Sequence, residues 1–456
     1  MTASIADRLR AIVPQRALPP DDRRAEYAID GLLPMAVVVP DDRQQVADVI
    51  RWAAENGVAV FPRGGGTKLA LGNSPEAPGL ALDLSRLNRV IDYQPGDLTV
   101  TVEAGITLEK LQQELAAARQ FVPLESPVRT SSTAGGTLST ASVGPMAHAY
   151  GPPRDWLIGI GVVGADGTET KAGGRVVKNV TGYDLNKLYT GSLGTLGVIV
   201  EASFKVSPLQ PEECLLIAPF PSMENAVSAG QTLLANPAGP ASYAALTQGL
   251  ALRLLSSPDV TGIAGMPPGQ DLRESMNGVG LCFFSGRAGA VRRRVAETSS
   301  ALLRAGADGA VRVGGDGAAA TRYWAADLGW REDFSPILAL KLSAPSRGIP
   351  SLAAACLRIG LPGAPPEVLA DPGFGTARVF FWGESNDESA LEAVRECRSA
   401  ARRHDGTAVV EVCPPSIKTQ IDVWGDEPGS MDIMRRLKEQ FDPQRLLNRG
   451  RFLGRL

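Results

Sequence analysis

Histidine is nearly absent from this chain: its 456 residues include two, His148 and His404. Cysteine is hardly commoner, with five thiols at positions 214, 282, 356, 397 and 413 and no Cys-x-x-Cys pair. A disulfide framework, a structural zinc and an iron–sulfur cluster built by this chain alone all need clustered thiolates, so none is expected. An excess of one charge is missing too. With 46 Lys and Arg against 49 Asp and Glu, the net charge is -3, which gives no electrostatic footprint for nucleic acid. The one basic knot, Arg292-Arg293-Arg294, lies in AGAVRRRVAETSSALLRAGA and reads as the solvated face of an amphipathic helix. No apolar run approaches the roughly 20 residues that span a bilayer. The opening MTASIADRLRAIVPQRALPPDDRR mixes charges and prolines where a signal peptide needs an apolar core. The expected protein is soluble and cytoplasmic.

Glycine, in contrast, is plentiful at 50 residues, and its placement carries the first functional signal. In PRGGGTKLALG, Pro62 to Gly72, three glycines stand in a row. Bare backbone of that kind suits either a tight turn or an anion approached by peptide N–H groups. The stretch before it has a definite rhythm. Met35–Val39 reads as a buried strand, Asp41 or Asp42 can cap a helix with apolar positions Val46, Val49, Ile50 and Ala53, Asn56-Gly57 ends it, and Val58–Phe61 is the next strand. The glycine loop follows the second strand and no helix signal follows the loop, which does not fit Rossmann geometry. Gly159-Ile-Gly161-Val-Val-Gly164 matches G-x-G-x-x-G by letter, yet it lies in a stretch that alternates and turns at Asp166-Gly167, as a β-hairpin does.

Leu98–Glu103 reads as a strand, Gly105 as a turn, and Thr107 as the cap of a helix with Leu108, Leu111 and Leu115 on its apolar face. SSTAGGTLSTASVGPMAHAYGPPRD is then expected to be a tract of small residues too poor in large apolar side chains to form a packed element. VVKNVTGYDLNKLYTGSLGTLGVIVEASFKV ends in a β-prone run, Val198–Val206. Three glycine- or small-residue-rich segments far apart in sequence suggest three walls around one large ligand, although each by itself is compatible with a plain loop.

In their order, PRGGGTK, STAGGTLSTASVG, AYGPPRD, VVKNVTGYDL and GSLGTLGVI resemble the FAD-binding domain of the vanillyl-alcohol oxidase and p-cresol methylhydroxylase (PCMH) superfamily, over roughly residues 33–210. The spelling KNVTGYDLNKLYTGSLGTLGVI, with LALKLSAP and the closing FDPQRLLNRGR, is similar to the FAD-binding subunits of glycolate oxidase. The resemblance implies an α+β chain with a PCMH-type two-subdomain FAD-binding domain over residues 1–210, an α+β cap over 211–428 and a terminal segment, 429–456, that returns to the first domain. It implies FAD held by Pro62, Arg63, Gly64, Gly65, Gly66, Thr67, Lys68 and Gly72 at the pyrophosphate, by Thr133, Ala134, Gly135, Gly136, Thr137 and Gly144 along the flavin and ribityl, and by Gly197, Val198 and Ile199 at the adenine end. Members that attach FAD covalently from this loop have His four residues after the Arg; Thr67 stands there in this chain, so non-covalent FAD is expected.

The departures bear on catalysis. The catalytic partner subunit of glycolate oxidase and related D-2-hydroxy acid dehydrogenases carry an H-x-G-D-G-N-x-H type segment for a divalent metal and the hydroxy acid, and nothing similar exists in this sequence. No metal ligands and no catalytic base are identified. Oxidising a 2-hydroxy acid requires a base for the hydroxyl proton and a cation for the carboxylate. His148 either lines the flavin or is a loop histidine, and His404 reads as the turn after a helix. In the second lobe, helices are expected over 226–235, 288–305 and 388–403, and strands over 278–285, 337–342, 378–382 and 407–413. Tyr323, Trp324, Trp330, Phe380, Phe381, Trp382 and Trp424 face either core or ligand, and Lys341 and Arg378 are either carboxylate anchors or ion-pair residues. The leading expectation is the FAD-binding subunit of a glycolate or related 2-hydroxy acid oxidising complex, partnered by a homologous catalytic flavoprotein that holds the substrate and by an iron–sulfur subunit, and touching a membrane's inner face at most through that complex. The alternatives are a self-sufficient FAD oxidoreductase and a structural subunit whose FAD does not turn over.

Overall fold

The computed structural model describes residues 5–126, 128–174, 183–258, 260–263, 265, 277–328, 330 and 335–456. Residues 175–182, which include the start of the KNVTGYDL stretch, the whole of the Met266 to Gly269 segment expected to be a loop and the side chain of Tyr323 lie outside that set. The chain divides into two compact units, residues 1–143, 152–209 and 418–456 in the first, and 144–151 and 210–417 in the second.

In the first unit a small parallel sheet is centred on Leu80–Asp83, flanked by Ala36–Val38 and Val60–Arg63. The outer strands are joined through the helix Arg43–Asn56. Asp42 caps it by accepting the Gln45 amide at 2.9 Å, and Gly57 closes it in the left-handed conformation at φ +63°. Val46, Val49, Ile50 and Ala53 are buried in one core with Leu80 and Leu82, as the 3.6-residue spacing requires. A five-stranded antiparallel sheet follows, in the order Val90–Gln94, Thr99–Glu103, Val198–Lys205, Leu157–Val163, Glu169–Gly173. Its last two strands are the hairpin expected around Asp166-Gly167, so the G-x-G-x-x-G letters fall in a strand whose residues pair on both sides. Thr107 caps the helix Leu108–Ala116, which buries Leu108, Leu111 and Leu115.

One expectation fails here. The small-residue tract does contain a packed element, the helix Ala134–Ser139, capped by Thr133 through the Gly136 amide at 3.2 Å. Small side chains let it lie hard against its neighbour: Gly135 donates to Ala104 O at 2.7 Å, and a Cβ at 135 would stand 2.7 Å from that of Ala104. Burial comes from close backbone approach rather than from large apolar groups.

The C-terminal segment joins the first unit from Lys418 rather than from 429, because Lys418 is buried on Asp30 (2.8 Å) and Ala70 O (2.6 Å). Beyond the helix Met431–Phe441, the chain lies beside strand Val60–Arg63: Val60 donates to Leu446 O at 2.8 Å and Asn448 to Val60 O at 2.9 Å. A buried ion pair fixes that turn. Lys438 Nζ meets Asp442 Oδ2 at 2.7 Å and also donates to Thr195 O and Leu447 O, while Asp442 accepts the amides of Leu446 and Leu447.

The second unit is an eight-stranded antiparallel sheet in the order Val311–Val313, Glu212–Phe220, Gly278–Gly286, Ser242–Thr247, Glu367–Asp371, Thr376–Phe381, Leu338–Ser343, Thr407–Val412. Strand alternation puts Leu246, Leu281, Phe283, Leu369 and Phe380 on one face in a core with Trp324. Tyr243 points to the other face, onto Gly230 of helix Met223–Leu234, where a Cβ would stand 2.3 Å from the ring. The expected helices and strands of this unit occur with ends shifted by a few residues. Trp324, Phe380 and Phe381 are core residues, each at most 1% exposed.

Asp442→Ala should cost about 3–5 kcal/mol, since it leaves Lys438 charged, buried and without its counter-ion. The measurement is the urea midpoint of unfolding followed by far-UV circular dichroism; an unshifted midpoint would show that the pair does not hold the terminal segment.

Candidate functional site

Strand Val60–Arg63 delivers the chain straight into the glycine run. Gly64 and Gly65 press against the 131–133 segment so tightly that a Cβ at 64 would lie 2.1 Å from Thr133 Oγ1, and one at 65 would lie 1.7 Å from Ser131 O. Gly66 takes φ +74° and sits under the Arg63 guanidinium. The amides of Gly64, Gly65, Gly66 and Thr67 donate to no acceptor among the described residues. Successive free N–H groups on bare backbone form an anion-binding concavity, and buried amides rarely go unpaired in a finished structure.

The loop lines a cleft of about 630 Å³, open to solvent, with Pro62, Arg63, Thr67 and Lys68 among its walls. The opposite wall is the short helix and its approach, which contribute Ser132, Thr133, Gly136, Thr137, Ser139 and Thr140. Thr67 Oγ1 and Ser132 Oγ lie 3.0 Å apart, and Lys68 Nζ donates to Ser142 Oγ at 2.6 Å. Arg63 is held on the ring of Tyr27, 4.5 Å from its centroid, and donates to Glu26 O at 2.6 Å.

The third wall was not foreseen from the sequence. Asn448 and Arg451 reach the cleft from the terminal segment. Asn448 donates to Leu193 O, and Arg451, 3% exposed, donates to Leu69 O and Leu71 O. Burial lowers the Arg451 pKa to about 10, so the side chain stays cationic at neutral pH. Arg451 Nη1 and Arg63 Nε are buried with no hydrogen-bond partner. The resemblance implied that the terminal segment holding NRGR returns to the first domain, but not that Asn448 and Arg451 line the cleft.

Several expected site residues lie outside the lining of the cleft. Gly135 packs on Ala104, and Ala134, fully buried, donates its amide to Ile106 O; neither lines the cleft. Gly72, at φ +97°, packs beneath Arg451 O, outside the lining. Gly144 belongs to the 144–151 segment of the second unit. Gly197 packs on Val162, and Val198 and Ile199 are buried strand residues paired with Val163 and Val162, so sheet formation already accounts for them.

Residues 34–173 match the model of an FAD binding domain, and 425–452 that of the C-terminal domain of FAD linked oxidases. The chain is 35% identical to a D-2-hydroxyglutarate dehydrogenase of Xanthomonas citri pv. viticola over 42% of this chain and 40% of that one. It is 32% identical to the glycolate oxidase subunit GlcD of Bacillus subtilis over 47% and 46%. Each of these matches spans under half of the relative's length. Over nearly the whole chain, 92% here and 91% there, it is 27% identical to the uncharacterized FAD-linked oxidoreductase MT2338 of Mycobacterium tuberculosis. The fold is that of p-cresol methylhydroxylase, with a TM-score of 0.73 at 16% identity over 98% of this chain and 95% of that one. It is shared with alkyldihydroxyacetonephosphate synthase, with a TM-score of 0.75 at 18% identity over 97% and 83%.

FAD is the cofactor of this domain, and the cleft fits it: a run of free amides and an orphaned, buried guanidinium suit the two charges of a pyrophosphate, and the hydroxyl-rich wall suits a ribityl chain. Gly65→Ala should empty the site, because even one methyl group collides with Ser131 O. Flavin absorbance per chain would fall to near zero while the circular dichroism of the second unit's sheet persists; full occupancy would refute the loop assignment. Denaturing the wild-type protein in acid should leave a colourless pellet and all FAD in the supernatant, since Thr67 stands where an attaching histidine would. Yellow protein after washing would mean a covalent link.

Proposed function

We propose that this chain, whose residues 34–173 and 425–452 match FAD-domain models and whose fold is that of p-cresol methylhydroxylase, is the FAD-binding subunit of a complex that oxidises glycolate or a related 2-hydroxy acid. The observation that carries this reading is the cleft of free amides closed by Arg451, set in a chain whose relatives include a glycolate oxidase subunit and a D-2-hydroxyglutarate dehydrogenase. Bound FAD would supply the two-electron acceptor for a hydride leaving a hydroxyl-bearing carbon. The glycine loop and Arg451 hold the anionic part of the cofactor. Thr67, Ser132 and Thr137 offer hydroxyl groups along its length, and the cap of Thr133 keeps that wall rigid.

On this reading the acid is dehydrogenated on a homologous flavoprotein subunit, and electrons leave through an iron–sulfur subunit. Two features support it. The sequence lacks the histidine-rich segment that binds metal and hydroxy acid in such catalytic chains. All five cysteines are buried and none forms a disulfide, and burial pushes the Cys282 thiol up strongly and Cys356 up to about 12, so neither is a ready thiolate for a cluster. No helix among the described residues is long and apolar enough to cross a membrane, so on this reading any membrane contact is made through the complex.

Anaerobic glycolate or D-lactate added to the purified chain should leave the flavin band near 450 nm unbleached, whereas the same addition to the reconstituted complex should bleach it. Bleaching by the isolated chain would instead make it a self-sufficient dehydrogenase. A flavin that stays oxidised in a complex that turns over would reduce its role to structure.

A further inference from the structure

The short helix Asp21–Tyr27 precedes the first strand and lies outside residues 34–173, which match an FAD binding domain. Its last residue, Tyr27, is 8% exposed and packs with Val37, Val39 and Ala81. The Tyr27 hydroxyl donates to Asp83 Oδ2 at 3.0 Å, and Asp83 also accepts the Ser85 amide at 2.8 Å. Burial and the neighbouring Asp83 raise the phenol's pKa, so it stays a donor at neutral pH. Apolar packing and a hydrogen bond at its tip thus fix the ring.

On this ring rests the Arg63 guanidinium, 4.5 Å from the centroid. Its Nη1 donates to Glu26 O at 2.6 Å, while the Glu26 carboxylate is engaged by Arg23, at 3.0 and 2.8 Å. The guanidinium also lies against Gly66 of the glycine loop, where a Cβ would stand 2.6 Å from Nη2 and 2.7 Å from Nε. Arg63 is part of the cleft wall, and its Nε is buried without a hydrogen-bond partner. Packing on a ring face occupies none of a guanidinium's N–H donors. The ring therefore holds the group in place and leaves donors over for an anion, and a fork fixed beforehand loses little freedom when it meets a phosphate.

We propose that Tyr27 is a positioning residue for the cofactor: its ring is the shelf that keeps the Arg63 guanidinium against Gly66, beside the amides of the glycine loop, where it serves the pyrophosphate of FAD. The role rests on the cleft being the FAD site, and it adds to that site a residue whose effect runs through Arg63. Asp83 acts one step further back, by holding the tip of the ring.

The test is titration of the full chain, stripped of its flavin, with FAD, the affinity being read from flavin fluorescence. Tyr27→Leu should weaken FAD roughly tenfold, the loss of one cation–π shelf, and Arg63→Gln at least as much. The double variant should bind no more weakly than Arg63→Gln alone, because a shelf without its guanidinium has nothing to position. Tyr27→Phe keeps the ring and should stay within about threefold of wild type. It removes the Asp83 hydrogen bond just as Tyr27→Leu does, so the difference between the two isolates the ring. Wild-type affinity in Tyr27→Leu, equal losses in the Leu and Phe variants, or additive losses in the double variant would each overturn the proposal. Should Tyr27→Leu fail to fold, Arg63→Lys carries the test. It keeps the charge but loses the stacked planar fork, so FAD should again bind roughly tenfold more weakly, and an undiminished affinity would overturn the shelf. Failure of the cofactor site itself looks different: Gly65→Ala would keep its flavin and Arg63→Gln would bind FAD as wild type does. A weakened Arg63→Gln beside an unaffected Tyr27→Leu sinks the positioning role alone.

Discussion

Two backbone hydrogen bonds, Val60 N to Leu446 O and Asn448 N to Val60 O, hold the cofactor site together. They lay the end of the chain along the strand that leads into the glycine loop, and everything at the third wall depends on that alignment. Asn448 and Arg451 arrive at the cleft because Leu447 pairs with Val60. The alignment is set in turn by Lys438 and Asp442, which satisfy the carbonyl and amide groups of the turn between helix and strand. A buried ion pair is weak evidence of stability by itself. Its use here is geometric, since each partner also bonds the backbone it positions.

Bare backbone answers two demands at once in the loop. Gly64 and Gly65 are needed by the protein's own packing, because the 131–133 segment occupies the space a Cβ would take. The same closeness leaves their amides facing open space, without an internal acceptor. A ligand is therefore the natural acceptor, and the groups that bind it are the ones the fold could not satisfy. Arg451 repeats the pattern with a side chain, spending one nitrogen on the loop carbonyls and keeping another unpaired.

The second unit handles charge differently. Its sheet face is apolar along most of its width and then holds two opposed cations, Lys341 and Arg378, with Glu411 and Asp371 as counter-charges. The aromatic residues of the second lobe that could face either core or ligand, Trp324, Phe380 and Phe381, pack in the interior.

Local chemistry made the elements legible in the sequence. Asp42 and Thr107 cap helices because a short acceptor side chain reaches the third amide beyond it, and the hairpin at Asp166-Gly167 follows from period-two alternation around a turn. The resemblance that indicated FAD rests on PRGGGTK, STAGGTLSTASVG, AYGPPRD, VVKNVTGYDL and GSLGTLGVI in order, short contiguous segments that are legible without the fold. The sequence alone could not show that the small-residue tract packs as a helix, because its burial comes from the nearness of Ala104, which is distant in the chain. Nor could it separate the glycines that face the cleft from Gly197 and Gly135, which face a neighbouring strand or residue. Whether a residue meets ligand or core is a property of what lies across from it, and residues hundreds of positions away, such as Arg451 beside Leu69, are brought there only by the tertiary fold.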